Sequence, residues 1–137
     1  MKKIHLIMTM ILVFMLAACG NKNSNSIVDT WELVSYGPPA SQTPVSIYTN
    51  TMVDFDSEGE VTGNVGCNSF GGDYKLNGDE ITFGRITTTL MACEDPINTQ
   101  EASVLKTFSG TATFEISGDT LTITAEDGES VVILKRK

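Results

Sequence analysis

The chain has 137 residues, seventeen acidic against nine basic, a formal net charge of −8 and one histidine, His5. That length suits one domain of ordinary size, and the acidic balance argues against nucleic acid and anionic headgroups as partners, because both would repel it. His5 lies in the N-terminal apolar segment, so a chain cleaved beyond it has no histidine, which excludes Ser-His-Asp and Cys-His catalysis and any His-containing zinc site.

Residues 1–18 have the three-part pattern of a secretory signal: Lys2 and Lys3, an apolar run from Ile4 to Leu16, then Ala17 and Ala18. A transmembrane helix needs about 20 apolar residues, more than this run supplies. Leu16-Ala17-Ala18-Cys19 resembles the bacterial lipobox, which implies that the Cys19 thiol takes a diacylglyceryl group and becomes the N-terminus. The plainer alternative is an ordinary signal peptide with an incidental cysteine. Two or more acyl chains make a stable membrane anchor. Residues 19–29 then form the lipidated cysteine and a tether, of which Gly20 to Ser26 has no apolar residue. At about 5–6 Å × √n this tether holds the domain roughly 15 Å from the membrane. The expected location is the cell envelope, lipid-anchored and facing outside the cytoplasm.

Loss of Lys2 and Lys3 leaves seven basic residues against seventeen acidic, a net charge of −10. Cysteine parity also works out: with Cys19 consumed, Cys67 and Cys93 remain in an oxidising compartment where disulfides persist. Closing the loop between them would stabilise the fold by roughly 3.5 kcal/mol on the chain-entropy model. The alternative is two buried free thiols, and the spacing fits neither a metal-ligand pattern nor C-x-x-C.

Residues 30–137 read as one mainly β domain of short alternating strands. Trp31-Glu32-Leu33-Val34 opens it, Met52-Val53-Asp54-Phe55 follows a Pro/Ser/Thr-rich loop, and Val61 to Val65 comes after a turn at Ser57-Glu58-Gly59. Tyr74 to Phe83 and Phe114 to Ile123 repeat one pattern, two apolar residues on each side of a Gly-Asp turn, and so predict two hairpins with the same face buried. Asp127-Gly128 turns the chain into a last strand, Val131 to Leu134. From Pro96 to Phe108 the period changes: Ile97, Val104, Leu105 and Phe108 fall on one stripe, and Gly110 stops the helix. Glu101 lies on that stripe. Either it closes a capping box with Asn98, or it is a buried carboxylate that accepts backbone donors or pairs with Arg85.

Other motifs carry less. Asp54-x-Asp56-x-Glu58-Gly59 begins like a calcium loop, but its twelfth position is Val65 in place of the bidentate Glu. Asp79-Glu80 and Glu94-Asp95 read as solvated turn residues and not as a glycosidase pair. Lys135-Arg136-Lys137 reads as charge protecting the end of an edge strand. No phosphate-cradling Gly-rich loop occurs, and no cofactor or metal is expected.

Gly63-Asn64-Val65-Gly66-Cys67-Asn68 followed by Gly72-Asp73-Tyr74, with Trp31-Glu32-Leu33, Thr89-Leu90-Met91-Ala92-Cys93 and Glu101, resembles the META domain family, the HslJ-like heat-inducible and envelope lipoprotein group. The resemblance implies a strongly curved antiparallel sheet or partly open β-barrel with one packed amphipathic helix. It also places Cys67 and Cys93 at the family's two cysteine positions and includes Asn68 and Glu101 among its matched residues; together with Arg85, the alternative partner of Glu101, these are the structural polar candidates. It supplies no catalytic residues. Two functions are therefore expected: a non-enzymatic accessory or binding module for an envelope protein, serving stress or antibiotic resistance, or a carrier of a small apolar ligand in the barrel. Barrels of this size are either filled or hold one ligand, and the many β-branched and aromatic residues favour filling.

Overall fold

The computed structural model describes residues 26–137; the signal segment and Cys19 lie outside them. The strands are β1 (Asp29–Gly37), β2 (Thr43–Pro44), β3 (Met52–Phe55), β4 (Glu60–Asn64), β5 (Ser69–Asn77), β6 (Glu80–Phe83) and β7 (Thr87–Thr88), then β8 (Gly110–Ser117), β9 (Thr120–Ala125) and β10 (Val131–Arg136). One helix, α1 (Ile97–Thr107), separates β7 from β8.

Alternation drives the strands. Val53 and Phe55 of β3 point inward and Met52 outward, because successive side chains take opposite faces. In β1 the phase slips: Leu33 pairs with Leu134 but Ser35 with Ile133, so Val34 is the extra residue of a bulge. The slip carries Tyr36 back to the buried face after Trp31 and Leu33. The two expected hairpins form in equivalent registers, Asn77 opposite Glu80 and Ser117 opposite Thr120. Gly78 and Gly118 take φ of 65° and 60° at the first central position, where a two-residue turn of this kind requires positive φ.

The curved sheet closes completely. β1 pairs with β3 on one side and with β10 on the other, giving an antiparallel ring in the order β1, β3, β4, β5, β6, β8, β9, β10. β10 therefore has a neighbour on each side, β1 and β9, and the reading of its basic tail as edge protection is corrected: the strand is not an edge. An eight-stranded barrel is just wide enough for its own side chains to fill. Trp31, Leu33, Val53, Phe55, Val61, Ile81, Leu121, Ile123 and Leu134 do so, each at most 1% exposed. Full burial of an aliphatic side chain of this size contributes about 1.5–3 kcal/mol, so the filled interior is the main source of stability.

Helix α1 plugs one end. Val104 and Phe108 are fully buried, and the Phe108 ring stacks on Phe83 with centroids 4.9 Å apart and meets Phe70 edge-on at 5.9 Å. At the opposite end the Arg136 guanidinium lies 4.4 Å from the centre of the Trp31 ring and ion-pairs with Asp29. Strand register fixes which loops share an end. The 56–59, 78–79 and 118–119 turns and residue 137 lie where the chain comes into β1. The 38–51 loop, the 65–68 turn and the 84–109 segment lie at the helix end.

Candidate functional site

Three of the five buried polar residues among those described gather where α1 meets the turn between β4 and β5. Gln100 is 0% exposed, Asn68 6% and Glu101 7%. Helix periodicity explains their placement, since positions 100, 104 and 107 share a stripe one turn apart and residue 101 borders it.

Glu101 is the centre of this cluster. Its Oε2 accepts the backbone N–H groups of Cys67, at 2.7 Å, and Asn68, at 2.5 Å, and its Oε1 accepts Asn68 Nδ2 at 2.8 Å. Hydrogen bonds to an ionised acceptor are about twice as strong as neutral ones. The turn approaches so closely that a Cβ at Gly66 would stand 2.7 Å from Glu101 Cβ and 3.0 Å from the Ile97 carbonyl oxygen. Only glycine fits there.

Asn68 relays the clasp to the next segment. Its Oδ1 accepts Met91 N–H at 2.7 Å and the Thr89 hydroxyl at 2.9 Å, while Nδ2 also reaches the Met91 carbonyl at 3.3 Å. Gln100 does the same for the long loop: Oε1 accepts Ser46 N–H at 2.7 Å, and Nε2 donates to the Val65 carbonyl at 2.7 Å and Thr49 Oγ1 at 3.3 Å. The sulfurs of Cys67 and Cys93 stand 1.89 Å apart, at disulfide distance, with Cα atoms separated by 6.1 Å. Helix α1, the 38–51 loop through Gln100, and the 89–93 stretch are thus fastened to one turn. Among the described residues, no buried side-chain nitrogen or oxygen lacks a partner.

This arrangement decides between the two accounts of Glu101. The capping box with Asn98 does not form, because α1 begins at Ile97 with Pro96 at its cap and no side-chain cap bond, leaving Asn98 exposed inside the first turn. Asp95 Oδ1 instead receives the Thr99 hydroxyl at 2.6 Å. The buried-carboxylate account holds for the backbone donors but not for the cation: Arg85 is exposed, and every partner of Glu101 in the clasp is an N–H of Cys67 or Asn68. Gln100, Thr89 and Ser46 were not anticipated. The available signal was Gln100 in phase with Val104 on the buried stripe.

The remaining candidates are placed by local structure. Asp56 Oδ1 accepts the N–H groups of Glu58 and Glu60, each at 2.8 Å, closing its own turn, and Asp54 accepts the Thr30 hydroxyl at 2.6 Å. No metal-competent cluster occurs among the described residues. A groove of about 420 Å³ between Lys106, Thr111, Asp127 and Ser130, and one of about 280 Å³ beside Tyr74 and Thr82, are both open to solvent on the outside of the barrel.

A closed, filled antiparallel barrel plugged by one helix and clasped by buried amides and a carboxylate defines a compact β-barrel domain with a structural polar centre. The chain belongs to the META domain family, whose domain matches residues 25–137. Its fold is similar to an NMR structure of a protein from Burkholderia xenovorans, at 19% identity and a TM-score of 0.66 over 80% of this chain and 82% of that one. It is also similar to a crystal structure of a DUF4847 family protein from Bacteroides vulgatus, at 12% identity and a TM-score of 0.63 over 80% of this chain and 93% of that one. No curated protein matches the chain.

Proposed function

We propose that the protein is an envelope lipoprotein anchored by Cys19, whose META domain is a non-enzymatic accessory module that binds another envelope component and supports resistance to stress or antibiotics. The observation that carries this reading is the use of Asn68, Gln100 and Glu101: each spends its polar atoms on neighbours in its own chain. Groups so engaged serve rigidity, and a rigid scaffold suits display of a surface. The Cys67–Cys93 pair supports an oxidising location. The filled interior favours this module over a carrier, since no ligand-sized space is needed to explain the packing.

Two measurements test it. Mass spectrometry of the cellular protein is expected to find an N-terminal Cys19 bearing acyl chains, and an intact initiator methionine overturns the anchor. A deletion strain is expected to lose viability under envelope antibiotics and heat and to regain it with the wild-type gene but not with Cys19→Ala. A deletion with no phenotype under any of these conditions overturns the accessory role.

A further inference from the structure

Both ends of the barrel carry acidic turns, Asp56, Glu58, Asp79 and Asp119 where the chain comes into β1 and Glu126, Asp127 and Glu129 between β9 and β10 at the helix end, but part of the helix end is free of charge. Residues 33–53, 61–72 and 86–93 contain no Asp, Glu, Lys, Arg or His, although the whole chain holds seventeen acids. The loops of these three runs meet at the helix end, through Gln100 and Asn68. Four large apolar side chains project from them: Ile47 is 88% exposed, Tyr48 79%, Leu90 95% and Met91 59%. Glu94 and Asp95 follow the second tip, and the acidic 126–129 turn lies at the other end of α1, beside the Thr107–Ser130 contact.

These tips are braced. Ser46, just before Ile47, is held by Gln100; Met91 is held on both backbone atoms by Asn68; and Cys93 is tied to Cys67. Apolar anchors already fixed in position lose little conformational freedom on binding, and interface centres are rich in Tyr and Met and poor in charge. We propose that this end is a protein-docking surface, on which Ile47–Tyr48 and Leu90–Met91 seat in an apolar recess of a folded envelope protein with a neutral or basic rim facing Glu94 and Asp95.

A bilayer fits less well, because membrane-seated apolar tips are accompanied by Lys or Arg and the charges that follow Leu90–Met91 are acidic. A second copy would bring Glu94 and Asp95 against the same acids, which disfavours a head-to-head pair. That the partner belongs to the envelope rests on Cys19 as the anchor.

The test uses the full chain in its own cells, with a photoreactive phenylalanine analogue at Tyr48, at Leu90, or at the exposed control Lys75 on β5. The expected result is a protein adduct of one mass from both tips and none from Lys75. Met91→Asp, at a half-exposed position, is expected to remove the Tyr48 adduct without moving the melting temperature. Adducts from one tip only, from all three positions or from none overturn the proposal, as do adducts with phospholipid or with a second copy of this chain. The acylation of Cys19 is read in the same cells: unmodified Cys19 with tip adducts sinks the anchor and keeps the surface, and acylated Cys19 without them does the reverse.

Discussion

Glu101 has three donors, and its removal leaves all three buried. Two are backbone N–H groups of Cys67 and Asn68, which have no second acceptor in the clasp. A buried donor left unsatisfied costs about 1–3 kcal/mol. Glu101→Ala is therefore expected to lower stability by about 2–4 kcal/mol, read as a lower urea midpoint at constant slope, with Glu101→Gln intermediate because it keeps one acceptor oxygen. Gly66→Ala drives a methyl into Glu101 Cβ at 2.7 Å and should separate helix from turn, costing about 1–3 kcal/mol in the same assay. Tyr74 offers a pH test. Burial, then the negative charges of Asp56 and Asp54, raise its pKa above the ordinary 10.0, and its hydroxyl donates to the Asp56 carbonyl at 2.6 Å. The neutral phenol is favoured by folding, so its contribution is full below pH 10.0 and is lost as pH rises through the higher folded value. Tyr74→Phe should flatten that alkaline decline in a thermal melt. An unchanged alkaline limb would assign it to other groups.

At the scale of elements, the segments whose signals are local were legible and those whose partners are distant were not. Both Gly-Asp hairpins, the strand at Met52–Phe55 and the helix follow from turn chemistry and from periods of two and 3.6 residues. The three-residue spacing of Asn98 and Glu101 matched a cap equally well, because the real partners of Glu101 lie 33 and 34 positions away and leave no local trace. Ile47 and Leu90 illustrate another limit: apolar residues in loops look like core candidates until the fold leaves them in water. The Cys67–Cys93 bridge joins the clasp turn to the segment before α1, across a separation of 26 residues. Its replacement by two alanines is expected to lower stability by about 3.5 kcal/mol, since the unfolded chain regains loop freedom. A guanidinium titration of the double variant against the oxidised wild type checks this, and equal midpoints would show that the bridge adds nothing.

For the molecule as a whole, closure was the least legible feature. It depends on Trp31 finding Arg136 across nearly the full domain, a pairing no sequence window contains. The Lys135-Arg136-Lys137 run was misread for the same reason: a charged end suggests an edge only if nothing pairs beyond it, and β1 does. Closure also makes the last strand indispensable. Deleting residues 131–137 exposes β1 and β9 together and removes Val132 and Leu134 from the core. The truncated chain should lose the near-ultraviolet circular dichroism of Trp31 and the cooperative melt; a folded truncation product would mean that the barrel tolerates being open.

Because the strands of the ring follow one another around it, with Arg136 beside Trp31, the neighbour relations are circular although the polypeptide is linear. A short linker from residue 137 back to residue 29, with the backbone cut in the exposed 38–42 loop, would yield a circular permutant that leaves every strand next to the same partners.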